Sequence, residues 1–326
     1  LADLVNDIDE EYLLTRENGA LFITYLKEVL VDWESLVTLR DIIETWRYPL
    51  SSPDLTKSSG SLLVSENIPL NHREDVRYDK LTLSSGTMHI EINVPPGSSG
   101  SVVIALPQAE AEGQTLSLEI PVFPWQSTYQ ATYDLSSATV TPGQSSDIKP
   151  FESYLTVETA ANLSGFSGDG ELGLTLSLTD LKHEEAFGYF GQQESSSLDA
   201  RLDFDAFDKL NITEGIVFGD AELEIHVNNH IGAPFYVKAD NIRFFKEKEN
   251  TEPDWLLDLN AGTKAELQVA SATYGRPVIP SRNLVLLNAS NSNILEIGNN
   301  YPLLMLCDII STVNPEDTGE QNFMGM

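Results

Sequence analysis

Three aromatic side chains in one short segment are candidates for binding a ligand by stacking. Trp125, Tyr129 and Tyr133 recur at every fourth position of PVFPWQSTYQATYDL, residues 121–135. Side chains two or four positions apart on a β-strand share a face, and a flat aromatic face can stack on sugar rings or on apolar ligands. Aromatic rows more often cover a hydrophobic core, so ligand binding and core packing both stay open as interpretations.

Clustered carboxylates raise the question of calcium. The segment LDARLDFDAFDKL, residues 198–210, contains Asp203, Asp205 and Asp208, and calcium prefers oxygen ligands of this kind. The segment lacks the loop glycine and the terminal glutamate of an EF-hand. We therefore expect Asp203 and Asp205 to form the solvent-facing side of an edge strand, with calcium as the weaker alternative. No cofactor is predicted.

Other motifs with catalytic or ligand-binding spacing lack the context that their chemistry needs. His226 and His230 have the spacing of a helical zinc pair, but they lie where a strand pattern is interrupted. The segment GDGELG, 168–173, matches a dinucleotide fingerprint, yet an alternating strand pattern follows it instead of a helix. No nucleophile elbow or P-loop is present, and among 50 acidic residues a pair of carboxylates has no weight. The sequence thus predicts a protein that is not an enzyme.

The charge balance narrows the possible partners. Lys and Arg number 19 against 50 Asp and Glu, for a net charge of −31, so nucleic acids and anionic membrane surfaces are disfavoured. From Leu81 to Ile148 there is no Lys or Arg, and Ser and Thr alternate with Val, Ile and Leu, a pattern typical of exposed β domains. No apolar run approaches the ~20 residues of a membrane helix. The single cysteine, Cys307, is predicted to be a buried structural thiol.

Local patterns predict mostly strands. Segments YLLTRE and ALFITYLKEV flank Asn18-Gly19, which predicts a hairpin, and a helix is favoured over 32–47 because Trp33, Leu36, Ile43 and Trp46 fall at helical spacing, although Leu36–Leu39 also fits a strand. Beyond this region, three units begin near 81, 153 and 221. Each has an alternating segment, an interruption rich in Gly, Pro or Asn, and a second alternating segment, which we interpret as two paired strands joined by a turn.

The predicted fold is mainly β, with antiparallel sandwich-like units and a small N-terminal hairpin and helix region. Three segments are expected: 1–60 for the hairpin and helix region, 61–149 for a first β unit, and 150–326 for a second β region.

Four stretches resemble a known group of proteins. VNNHIGAPFYVKADNI (227–242) is similar to periplasmic or surface β-sandwich modules. Together with ENGALFITY (17–25), FGYFGQ (187–192) and Asn314-Pro315, it resembles uncharacterised secreted or cell-surface lipoproteins of Bacteroidetes-type bacteria. The resemblance implies export to the periplasm or the outer-membrane surface of a Gram-negative bacterium. It also implies a lipid anchor carried by a segment before Leu1, and it brings no catalytic residues.

The function expected from these observations is non-enzymatic: binding or structure at the cell envelope, with a glycan or an envelope protein as partner. A tubular carrier of lipid or another apolar ligand is the alternative. A glycoside-active enzyme with an unrecognised acid pair is the third possibility.

Overall fold

The computed structural model describes residues 12–17, 20–25, 37–50, 60–71, 73–144, 151–166, 170–204, 207 and 216–325. Strand dominates the described part of the chain, which confirms the predicted mainly β, antiparallel fold. In chain order the strands are β1 Tyr12–Glu17, β2 Ala20–Tyr25, β3 Ile42–Pro49, β4 Gly60–Pro69, β5 Arg77–Asn93, β6 Ser99–Ala111, β7 Gln114–Val122, β8 Thr128–Asp134, β9 Thr139–Val140, β10 Gly143–Gln144, β11 Ser153–Ser164, β12 Glu171–Tyr189, β13 Gln193–Asp203, β14 Glu222–Asn229, β15 Phe235–Phe245, β16 Trp255–Leu256, β17 Glu266–Val269, β18 Ser281–Asn288, β19 Leu304–Val313 and β20 Asn322–Gly325. A helix, α1, spans Ile294–Gly298.

The chain forms two compact units. The first unit comprises Leu1–Trp33 and Gln192–Glu316, and the second comprises Glu34–Gly191 and Asp317–Met326. This division differs from the three segments predicted from the sequence, because β5 pairs with β12 and β6 pairs with β11 across the expected boundary at residue 149. Strand pairing at long range therefore joins segments that local patterns separate.

The second unit is an eleven-stranded sheet that curls on itself. Its front half places β5 between β8 and β12, with β3 and β20 on the far side of β12. Its back half places β6 between β7 and β11, with β4 on the far edge of β11. The short strand β10 lies on the same edge of β11 as β6, because Tyr154 pairs with Gly143 on one side and with Pro69 on the other. The two-residue strand β9 pairs with both β5 and β6 and so joins the halves.

Alternating burial defines the core of this unit. On β12, Leu172, Leu174, Leu176 and Leu178 are all buried, as the period-two pattern predicts. Burying one such side chain stabilises the fold by roughly 1.5–3 kcal/mol. The inward faces of β5 and β11 alternate in the same way, so the predicted core faces are confirmed.

The predicted pairing inside each strand–break–strand unit is wrong. The partners of β5 are β8, β9 and β12, whereas those of β6 are β7, β9 and β11. The same separation holds for β11 with β12 and for β14 with β15. In the second unit each interruption therefore carries the chain from one half of the sheet to the other. Alternation determines which face of a strand is buried, but not which strand its backbone bonds to.

Two of these interruptions lie side by side in the second unit. Gly97, after β5, and Gly165, after β11, both have positive φ values, of 84° and 87°. A Cβ added at Gly165 would lie 2.7 Å from the carbonyl oxygen of Gly97, a contact that only glycine avoids. The two connections between the halves therefore contact each other at one end of the sheet.

The helix predicted over 32–47 is wrong over the residues that form β3. Residues 32–36 lie outside the described part of the chain, and Ile42–Pro49 forms a strand paired with β12. Along β3 burial alternates, with Ile42 and Tyr48 buried on one face and Ile43 exposed on the other. Ile43 and Trp46 match helical spacing only because three positions separate them, and they lie on opposite faces of the strand.

The first unit has its own core. The predicted hairpin is confirmed, since β1 pairs antiparallel with β2. Strands β13, β19 and β15 form a sheet extended by β16 and β17, and β14 pairs with β18. A cluster that includes Phe244, Leu287 and Ile297 fills the interior. Cys307 belongs to this cluster, which confirms that it is a buried thiol.

Candidate functional site

The turn between β7 and β8 presents two aromatic rings to solvent. Phe123 is 42% exposed and Trp125 is 80% exposed. Their rings are stacked, with centroids 5.0 Å apart and planes inclined by 13°. The backbone N–H of Gln126 donates to the carbonyl oxygen of Phe123 at 3.1 Å, so Pro124 takes the second position of a β-turn, where its fixed φ is favoured. The pair forms an apolar surface at the end of the strands.

Tyr129 holds this turn in place. Its side chain is only 7% exposed, and its hydroxyl accepts a hydrogen bond from the backbone N–H of Phe123 at 2.7 Å. The same hydroxyl lies 3.1 Å from the carbonyl oxygen of Phe123 and 3.0 Å from that of Gln126, and it can donate its proton to either. The aromatic pair is therefore fixed by a buried phenol.

The structure separates the three aromatic residues singled out in the sequence. Tyr129 and Tyr133 lie opposite Ile92 and Met88 on the inward face of β8, while Trp125 precedes the strand. Tyr133 is 36% exposed at this face. The three rings thus do not form one row, and Trp125 has Phe123 as its neighbour instead. Pro124 was the signal for this arrangement, because it predicts a turn and not a continuing strand.

A polar surface adjoins the aromatic pair. The outward side chains of β5 and β8 form three hydrogen-bonded pairs across the strands, in register with the backbone. The pairs are His89 Nδ1 with Thr132 Oγ1 at 3.1 Å, Gln130 Nε2 with Glu91 Oε2 at 2.8 Å, and Thr128 Oγ1 with Asn93 Oδ1 at 2.8 Å. The backbone N–H of Val94 donates to the carbonyl oxygen of Ser127 at 2.9 Å. The aromatic turn therefore lies at the Asn93 end of this surface.

The polar surface continues across β12 and β3. Thr175 lies opposite Glu91, and Ser177 lies opposite His89. The hydroxyls of Thr45 and Thr175 are 3.1 Å apart and bonded. We call the outward residues of the segments 43–47, 87–93, 128–134 and 171–179 of these four strands the polar face; its members are Ile43, Thr45, Arg47, Thr87, His89, Glu91, Asn93, Thr128, Gln130, Thr132, Asp134, Glu171, Gly173, Thr175, Ser177 and Thr179.

Glu91 is the charge at the middle of the polar face. Its Oε1 accepts from the side-chain amide of Asn93 at 3.1 Å, and its Oε2 accepts from Gln130 at 2.8 Å. These two bonds, from Gln130 first and then from Asn93, lower the pKa of the Glu91 carboxyl because they stabilise its charged form. Glu91 therefore presents a negative charge that two amides hold in one orientation.

The acidic segment predicted as a weak calcium candidate is described only in part. Asp205 and Asp208 lie outside the described residues. The carboxylate of Asp203 accepts from Arg201 at 2.8 and 2.9 Å and pairs with Lys248 at 3.2 Å. These cations, Arg201 foremost, lower the pKa of Asp203. The oxygens of this carboxylate thus have protein donors as partners.

The two histidines of the interrupted strand are placed apart by their backbone. His226 lies on the outward face of β14, with its Nε2 2.7 Å from the carboxylate of Glu224. His230 follows the end of that strand and is exposed. Within the described ranges, no three His, Cys, Asp or Glu side chains are grouped as a metal site would require.

The apolar interior of the second unit contains a small cavity. Leucine, alanine and valine side chains from both halves of the sheet line it, among them Leu81, Leu106, Leu155 and Leu178. Its volume is about 30 Å³. This space is far smaller than a lipid chain.

Comparison with known proteins leaves the family of the chain open. No protein-family model matches the chain, and no curated protein matches it. A solved structure from Parabacteroides distasonis, which carries the working description of a secreted protein, is similar at 11% identity, covers 88% of this chain and 89% of its own, and has a TM-score of 0.27. The structure of black queen cell virus is similar at 9% identity over 47% of this chain and 74% of its own, with a TM-score of 0.22. Likenesses at these TM-scores carry no argument about fold or function. Among the described helices, none has the length and hydropathy to cross a membrane.

Proposed function

We propose that the second unit is a non-enzymatic carbohydrate-binding module of an exported cell-envelope protein. The observation that carries this proposal is the stacked pair of Phe123 and Trp125, exposed at one end of the polar face. An exposed aromatic ring offers the apolar surface on which the C–H face of a sugar ring can stack. The hydroxyl, amide and carboxylate groups of the polar face can exchange hydrogen bonds with sugar hydroxyls.

Preorganisation supports the proposal. A binding site gains affinity when its groups are held in place before the ligand arrives, because less ordering remains to be done. Tyr129 holds the aromatic turn through its hydroxyl, and cross-strand bonds orient Glu91, Asn93 and Gln130. Rigid side chains on a sheet surface suit an extended polymer, which lies along the strands or across them.

Affinity electrophoresis on a panel of neutral and anionic polysaccharides tests the proposal. We expect Trp125→Ala to abolish retardation by any polysaccharide that retards the wild type, since most of the exposed aromatic surface disappears. The matched control is Leu63→Ala, which removes a side chain that is 78% exposed on the outward face of β4, in the back half of the sheet. Unchanged retardation in a folded Trp125→Ala variant would exclude the aromatic pair as the binding site.

A further inference from the structure

We infer that the polar face selects uncharged glycan chains and rejects anionic ones, and that Glu91 makes this discrimination. The inference rests on the proposed carbohydrate-binding function and names the class of glycan for the same site. It comes from the position and bonding of one carboxylate and from the charges that surround it.

Glu91 is suited to accept hydrogen bonds from neutral sugars. A carboxylate has about four lone-pair positions, and the amides of Asn93 and Gln130 occupy one on each oxygen. Each oxygen therefore keeps a position that can accept a further proton. Neighbouring hydroxyls of an uncharged sugar supply two donors at similar spacing, and hydrogen bonds to an ionised acceptor are stronger than those to a neutral one.

The charge of the polar face disfavours carboxylated or sulfated sugars. Its members include three acids, Glu91, Asp134 and Glu171, and one base, Arg47, for a net charge of −2 when His89 is neutral. Arg47 lies at the far edge of the face, 3.8 Å from Glu171. Glu91, Asp134 and all of β8 lie inside the stretch from Leu81 to Ile148, which has no Lys or Arg, while β5 begins before it and carries Arg77 and Lys80 at its other end. A uronate or sulfate group near Glu91 would thus meet a like charge with little compensation from a cation.

The magnitude of this discrimination follows from simple electrostatics. Two like unit charges about 4 Å apart repel only weakly in water, an effect of up to about fivefold in affinity at 25 °C that added salt reduces. Replacing Glu91 with Gln removes the charge and keeps the shape and one carbonyl acceptor. We expect Glu91→Gln to bind anionic polysaccharides up to about fivefold more tightly than the wild type at low ionic strength, and to bind neutral polysaccharides no more tightly.

Paired probes separate the effect of Glu91 from that of net charge. Two pairs of polysaccharides share a sugar backbone and differ in charge: hydroxyethylcellulose with carboxymethylcellulose, and dextran with dextran sulfate. The control variant is Glu158→Gln, which removes the same charge from the outward face of β11 in the back half of the sheet. Thermal unfolding of both variants shows whether they remain folded. Tighter binding of the anionic probes by Glu91→Gln alone supports a repulsion that acts locally at Glu91.

Four outcomes are distinguishable. Binding that depends on Trp125, occurs on neutral probes and extends to anionic ones in Glu91→Gln supports the inference. Equal binding of neutral and anionic probes by the wild type, still dependent on Trp125, overturns the inference and leaves the proposed function standing. An equal gain in Glu158→Gln and Glu91→Gln also overturns the inference alone. If no polysaccharide in the panel binds in a manner dependent on Trp125, the proposed function fails and the inference fails with it.

Discussion

Removing one oxygen atom from Tyr129 should loosen the turn that carries Phe123 and Trp125. The change Tyr129→Phe keeps the buried ring and its packing against the inward side of β5, so no cavity of side-chain size forms. It deletes the hydroxyl that the backbone N–H of Phe123 contacts at 2.7 Å. The perturbation is therefore confined to the hydrogen bonds of the turn.

The size of the effect can be worked out from the bonds. The hydroxyl accepts one bond from Phe123 and donates its single proton to one of two carbonyl oxygens, so two bonds exist at a time. A net contribution of about 0.5–1.5 kcal/mol for each bond gives about 1–3 kcal/mol in total. Water can reach the backbone of an exposed turn and replace part of this, so we expect a loss of about 1–2 kcal/mol.

Hydrogen exchange followed by mass spectrometry measures the loss where it occurs. A change of about 1–2 kcal/mol corresponds to a factor of about 5–30 in a local opening equilibrium. Peptides that cover 121–129 should exchange faster by such a factor in Tyr129→Phe. Peptides from β11, in the other half of the sheet, should exchange at the wild-type rate.

Tyr133→Phe is the matched control. It removes the same atom from the same face of β8, where the hydroxyl of Tyr133 has no hydrogen-bond partner among the described residues. Exchange over 121–129 should therefore stay at the wild-type rate in this variant. Equal acceleration in both variants, or in neither, would refute the assignment of Tyr129 as the residue that holds the aromatic turn.

Two further predictions concern stability and reactivity. Gly188→Ala should destabilise the second unit by at least about 2 kcal/mol in thermal or urea unfolding, because an added Cβ would lie 1.9 Å from the carbonyl oxygen of Arg77 and the strands must shift. The control is Gly173→Ala on the same strand, where an added Cβ meets nothing closer than 3.4 Å. An equal loss of stability in the two variants would contradict the reasoning. Cys307 should react with iodoacetamide only slowly in the folded protein at pH 8 and rapidly in urea. Burial raises the pKa of its thiol to about 12, and the thiolate is the reactive form. Rapid labelling of the folded protein would show that the first unit opens around β19.

The strands and their buried faces could be predicted from the sequence because the relevant signal is local. Alternation over Met88–Ile92 and over Leu172–Leu178 identifies both a strand and its inward side. The pairing of those strands could not be predicted in this way. Hydrogen bonds between strands join backbone groups, which are the same for every residue, so the side-chain pattern of β5 does not distinguish β6 from β12 as its neighbour. The contact between the connections at Gly97 and Gly165 could not be predicted either, because it joins segments that are far apart in the sequence.

The candidate site could be predicted from the sequence even less completely than the strand pairing. Trp125 was identifiable as a candidate ligand-binding residue from its type, but its partner Phe123 depends on the turn that Pro124 and Tyr129 create together. The polar face brings together residues as far apart in the chain as Thr45 and Thr175, which bond to each other across 130 positions. Composition nevertheless anticipated the electrostatic character of this face. The stretch without Lys or Arg supplies β8 and most of β5, two of the four strands, so a ligand bound beside Glu91 meets hydroxyls, amides and carboxylates whichever strands complete the sheet.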